Sequence, residues 1–275
     1  MALTLPGQTL RAIASSLRQL SYLPTSWQGV LKGINADGRS QLEPLLVELT
    51  REGATPRLMA LMLEQLADQQ DALQRERNSW SFVWSGPEAL HAKTADTFAT
   101  VDQLIREATT SLLIATFNIG LSESFHKLLE SIAIRLENGS LQRVDLFFHP
   151  IQIAERLGSQ PLDKVRTWFN EEVWPWPNKP NAFIDTRLIN GSRERCYQHS
   201  KVLIADAKTE FAKALVTSAN FSEPAQRHNF EAGWLTTNAH HANFIASHFR
   251  RLAEQNLFKD IGLQKQEIIN NGSIQ

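Results

Sequence analysis

Cysteine is almost absent from this sequence: Cys196 stands alone among 275 residues. One thiol excludes an internal disulfide and a metal cluster built only on cysteine, and it fits a reducing compartment. Neither sign of charge dominates, with 28 Lys and Arg against 29 Asp and Glu and a formal net charge of -1. The molecule as a whole therefore exerts no pull on nucleic acid or an anionic membrane, and a polyanion site has to be a local patch. Long apolar runs are missing too. The most apolar stretch, SLLIATFNIGL at 111–121, carries Ser, Thr and Asn and is too short to span a bilayer. The opening MALTLPGQTL lacks the basic and apolar regions of a secretory signal. Together these absences read as a cytoplasmic protein without a membrane partner. No repeat period or low-complexity tract is evident.

What is present has two textures. Up to about Asn78 the pattern is helical. Leu10, Ile13, Ala14, Leu17 and Leu20 recur at the spacing of one helix face. Ser40 and Glu43 have the spacing of a capping box, and Thr55 with Pro56 reads as an N-cap followed by a first-turn proline. These helices carry leucine stripes and no cluster of reactive groups, which favours packing over binding.

From Trp80 onward, short β-type runs at 81–84, 111–117, 144–148, 181–186, 201–205, 214–218 and 230–235 alternate with helical stretches near 95–109, 122–138, 161–173 and 239–258. Such alternation argues for an α/β sheet covered on both faces. The expected organisation is a helical region over 1–78, an α/β domain over 79–262 and a loose polar tail over 263–275.

Chemistry concentrates in QHSKVLIAD, 198–206. The spacing H-x-K occurs twice, as HAK at 91–93 and HSK at 199–201, but only the second has Asp five residues further on, at Asp206. TSANF and HNFEAG follow. Side chains two apart on a strand share a face, so His199 and Lys201 point together, as do Ser218 and Asn220 at the end of the next strand. Lys supplies charge and three donors to phosphate oxygens, and Asn and Ser add neutral donors. A neutral imidazole is a nucleophile near pH 7. A carboxylate such as Glu231 suits the task of holding its second ring nitrogen.

HSKVLIAD, TSANF and NFEAG together resemble the HKD motif of the phospholipase D superfamily: H-x-K-x4-D, then G-S-x-N, then a glutamate. The resemblance implies a mixed β-sheet flanked by helices and a two-step reaction with neither metal nor cofactor. In it His199 attacks phosphorus, a second His protonates the leaving oxygen, and water releases the product. Lys201, Ser218 and Asn220 would hold the phosphate, with Asp206 mainly structural. Thr217 departs from the usual Gly, and the connection AKTEFAKALV after Asp206 is longer than usual. The leucine-rich N-terminus, FVWSGPE at 82–88 and a single late HKD half with VTSANFSE further resemble the phospholipase-D-like component of DISARM anti-phage defence systems. That implies a nuclease working on DNA beside other defence proteins.

The family's chemistry takes two histidines, and this chain has one complete motif. AKTADTF after His91 reads as a helix start rather than a strand, so His91 with Lys93 makes a poor second copy. His149 and His228 read as loop or supporting residues. A symmetric homodimer, which brings His199 of each subunit to one shared site, is the better account.

Other features have plain explanations. WFNEEVWPWPNKP, 168–180, is either a wall for stacking bases or a Pro-stiffened loop packing its indoles, and packing is preferred. Arg193 and Arg195 with Lys201 suggest a local basic patch. His240 and His241 sit at a helix start and need no metal. Two rival functions stay open. One is a phospholipase or phosphatidyl transferase, disfavoured because no amphipathic basic helix is present. The other is a module that binds nucleic acid without turnover.

Overall fold

The computed structural model describes residues 5–87, 94–119, 121–154, 161–189 and 197–262. The chain divides into two compact units at Asn78–Ser79.

In the first unit α1 (Gly7–Arg18), α2 (Ala36–Arg51) and α3 (Pro56–Asn78) surround a core that includes Leu10, Ile13, Leu17, Trp27, Leu31, Leu42, Leu46, Met59 and Leu63. Thr55 Oγ1 accepts from Leu58 N at 3.2 Å, capping α3. The start of α2 differs from the sequence expectation. Asn35 is its cap, with Oδ1 accepting from Gly38 N at 2.8 Å. Ser40 lies inside the helix, donating to Asp37 O, so no capping box forms with Glu43. Gly38 allows the earlier start, because a Cβ there would sit 2.7 Å from Ile34 Cγ2 and 2.8 Å from Leu5 Cδ2.

The second unit holds a nine-stranded mixed sheet. Its strands are β1 (Trp80–Ser85), β2 (Ala95–Asp96), β3 (Ser111–Thr116), β4 (Arg143–Phe148), β5 (Asn181–Asp185), β6 (Val202–Ala205), β7 (Lys213–Thr217), β8 (Glu231–Thr236) and β9 (Phe258–Asp260), in the order β2-β1-β8-β7-β6-β3-β4-β5-β9. Strands β3, β4 and β5 are parallel, while β6, β7, β8 and β1 run antiparallel in succession.

Alternation along β6 shows how the layers form. Leu203 and Ala205 enter a core with α4 (Thr97–Glu107), α5 (Glu123–Glu137) and α6 (Pro161–Trp168), whereas Val202 and Ile204 pack on the opposite face beneath α9 (Ala239–Glu254). Both faces are thus covered, and the fold is α/β with a helical unit before it.

The Trp-rich segment is packing, as preferred from sequence. Trp174 is fully buried, its indole N–H donating to Asn178 O at 2.9 Å, and Trp176 meets its edge at 5.5 Å. Short elements that the sequence does not announce are β2, β9, α7 (Thr186–Ile189) and α8 (Glu223–Arg227). No helix among the described residues is long and apolar enough to cross a membrane.

Candidate active site

Strand directions gather chemistry at one edge of the sheet. Because β3 is antiparallel to β6 and β6 to β7, the C-terminal ends of β3 and β7 flank the N-terminal end of β6. The N-terminal end of β8 lies beside β7, pairing Gly233 with Thr217. Phe117, His149, Lys201, Ser218 and Glu231 therefore all sit at or just beyond this edge.

The segment before β6 turns His199 outward. Gln198 is buried, and its Oε1 accepts from Ser200 N at 2.7 Å and Ser200 Oγ at 2.8 Å, while its Nε2 lies 3.3 Å from Phe147 O. His199 next to it is exposed. Lys201 is only 6% exposed. Its Nζ lies 2.8 Å from His199 Nδ1 and 3.1 Å from Nε2, and donates to His199 O at 2.7 Å. Burial pushes the Lys201 pKa below its ordinary value, opposed by the charge of Glu231.

Ser218 Oγ donates to Glu231 Oε2 and accepts from Ala232 N at 3.1 Å. Glu231 Oε1 takes a longer bond from Asn229 Nδ2, 3.4 Å. The sequence expectation that Glu231 holds the second ring nitrogen of His199 is not met. Its carboxylate turns to Ser218 and Asn229, and the groups at the His199 ring are Lys201 and Phe117. Asn220 is half-buried, and its Oδ1 has no hydrogen-bond partner among the described residues. The edge thus links His199 to Lys201 and Ser218 to Glu231 by contact, Lys201 to Glu231 by charge, and leaves Asn220 Oδ1 without a hydrogen-bond partner among the described residues.

Asp206 lies at the other end of β6. Its carboxylate accepts from Thr109 N at 2.8 Å, Thr110 N at 2.6 Å and Ser111 N at 3.3 Å, and from both threonine hydroxyls. Burial raises its pKa, but the three N–H donors outweigh that and the net direction is downward. Asp206 has φ 53, a left-handed conformation that Asp tolerates better than most residues. It ties the end of β6 to the turn between α4 and β3 and touches nothing at the His199 edge.

Sequence reasoning missed the aromatic surroundings of His199. The Phe117 ring lies 4.9 Å from the His199 ring and stacks on His149 at 5.3 Å and 16°. Tyr197 meets Phe117 and His149 edge-on, at 5.9 and 5.2 Å. His149 is 1% exposed, with neither ring nitrogen hydrogen-bonded among the described residues, and burial lowers its pKa against the pull of Asp185. Phe117 and Tyr197 are visible in SLLIATF and YQHSK, but only strand pairing reveals that they meet.

The departure at Thr217 is absorbed locally. Thr217 Oγ1 donates to Ala232 O at 3.2 Å and accepts from Ala219 N at 3.1 Å. His228 is exposed in the loop after α8. His240 N bonds the cap Asn238, and the His241 ring lies against Trp80. His91, Lys93, Arg193, Arg195, Cys196 and the tail after Gly262 lie outside the described residues. Among the described residues no group of three or more His, Cys, Asp and Glu is arranged to hold a metal ion.

No family model and no curated protein matches the chain. Solved structures similar to it include Nuc, a phospholipase D family member from Salmonella typhimurium, at 15% identity and TM-score 0.41, covering 66% of this chain and 97% of that one. NucT from Helicobacter pylori is similar at 16% identity and TM-score 0.43, covering 64% and 96%. Phosphatidylserine synthase from Haemophilus influenzae is similar at 18% identity and TM-score 0.40, covering 65% of this chain and 40% of its own.

Proposed function

We propose that residues 79–262 form a metal-independent phosphodiesterase that cleaves nucleic acid, DNA foremost, through a phosphohistidine on His199. A ring nitrogen of His199 attacks phosphorus, a P–N bond forms and the P–O bond to the leaving alcohol breaks. The departing oxygen takes its proton from a second imidazole. Water then attacks the same phosphorus and gives its proton back to that imidazole. The P–N bond breaks, freeing His199 and a phosphomonoester.

The observation that carries this reading is the contact between the exposed His199 ring and the ammonium of buried Lys201. A desolvated cation held beside a nucleophile offers charge where the phosphate oxygens must sit, with little reorganisation during the reaction. Asn220 is the neutral donor in this scheme, and Ser218, whose single hydroxyl proton goes to Glu231 Oε2, joins it only when the phosphate displaces that bond.

The second imidazole is assigned to another copy of the chain. His149 at this edge is buried and His228 is an exposed loop residue before β8, and the acid is assigned instead to a twofold pair that brings two His199 rings together. The biological setting in this reading is bacterial anti-phage defence beside other proteins of such a system, on the strength of FVWSGPE and the single HKD half.

The test is incubation of the purified chain with single- and double-stranded DNA in EDTA, compared with His199→Ala. Cleavage that disappears in the variant supports the reading. DNA retained but uncut by both proteins means a binding module, and activity confined to phospholipid means a lipid enzyme.

A further inference from the structure

We propose that Tyr197 and Phe117 form a stacking wall for an unpaired nucleobase next to the scissile phosphate, which makes single-stranded nucleic acid the preferred substrate. This rests on the phosphodiesterase reading of His199. Phe117 is within 4.9 Å of the His199 ring, and Lys201 Nζ lies 5.9 Å from the Phe117 centroid. Aromatic surface therefore begins one ring away from both groups that meet the phosphate. Only a sugar separates a phosphate from its base, so the base of a nucleotide engaged at His199 falls at this wall.

The wall is built rather than incidental. His149 backs Phe117 as a parallel plate with no hydrogen bond among the described residues, and Tyr197 closes the cluster edge-on. Tyr197 itself is 47% exposed, with ring surface left over for a ligand. Every base has a π face, so such a wall is indifferent to sequence. It does discriminate by strandedness, because a paired base has both faces covered and must be unstacked first.

The experiment compares an oligothymidylate, the same oligomer without bases (abasic residues throughout) and a dA·dT duplex, each cleaved by the full chain, Tyr197→Ala and Tyr197→Phe. The intact chain should cleave the oligothymidylate about 10- to 100-fold more efficiently than the abasic oligomer, the range expected for loss of one stacked base. It should also favour it over the duplex. Tyr197→Ala should lose a similar factor on the oligothymidylate and nothing on the abasic oligomer, while Tyr197→Phe stays near the intact chain. Equal slowing on both oligomers would mean that Tyr197 only supports the fold of the site, and no slowing, or equal cleavage of single strand and duplex, would equally overturn the proposal. If nothing is cleaved, the reaction reading falls, and the wall is judged by binding. Tyr197→Ala must then weaken oligothymidylate retention relative to the abasic oligomer, and equal retention would sink it.

Discussion

Thr217 occupies the space that Gly233, its partner across the β7–β8 ladder, leaves open. A Cβ at Gly233 would lie 2.7 Å from Val216 O and 2.8 Å from Thr217 Cβ. The family pattern that the sequence resembles puts glycine on the β7 side, and here the small residue lies opposite, on β8. Room at the His199 edge is kept while the side-chain bulk moves to the other strand.

Gly233→Ala should therefore destabilise the second unit by about 1–3 kcal/mol, the usual cost of forcing a methyl into a packed position. Pairing it with Thr217→Gly should recover part of the loss, though not the contact with the Val216 carbonyl. Urea denaturation of the single and double variants reads both effects. A single variant as stable as the parent chain would mean that the ladder yields easily.

The first turn of α2 gives a second measurement. Asn35→Ala removes the acceptor for Gly38 N and should cost about 1 kcal/mol, whereas Ser40→Ala should change stability by less than about 0.5 kcal/mol. Thermal unfolding distinguishes them, and the reverse order would restore the capping box that the sequence suggests.

That contrast shows what can be read from residues alone. The central strands were legible as short apolar runs, since both faces of the sheet are covered, and the helices because a period of 3.6 survives wherever one face is buried. HSKVLIAD placed Lys201 beside His199 because two residues on one extended segment need no tertiary information to share a face. The real cap at Asn35 stayed hidden, since Gly38 looks like a helix breaker until its close neighbours Ile34 and Leu5 are known. Strands of two or three residues, β2 and β9, are too short for any period. The meeting of Phe117 with His199 depends on the β3–β6 register, and so does the orientation of Glu231 on the β7–β8 pair. Register is a property of the assembled sheet.

Asp206 predicts an acid-side weakness. Its folded pKa is below the unfolded value of about 3.9, so its contribution is fully present above that value and is lost as pH falls through the folded one. Asp206→Asn keeps the shape and tolerates φ 53, but loses the charge that the Thr109, Thr110 and Ser111 amides point at. Stability at pH 7 should drop by about 2 kcal/mol, and this part of the acid sensitivity should vanish. Urea midpoints between pH 2.5 and 7 on both proteins are the check, with parallel profiles counting against the role assigned to the carboxylate.

Lys201 carries the opposite relation between stability and activity. Burial lowers its folded pKa, so between that value and about 10.4 the unfolded chain binds the extra proton more tightly. Stability should rise with pH across that window, and below it the cost of burying the ammonium is borne in full. Lys201→Met keeps the length and removes the charge. It also removes the bonds to the His199 ring and carbonyl, but exposed His199 can replace those with water. The variant should be as stable as the parent chain or up to about 1 kcal/mol more stable, as buried charges replaced by apolar groups often are. If His199 acts as proposed, cleavage should fall by at least about 100-fold, because Lys201 is the ammonium in contact with the His199 ring among the described residues. Denaturation midpoints and cleavage rates measured on one preparation decide it. A variant that loses stability and keeps its rate would show that Lys201 is there to hold the fold.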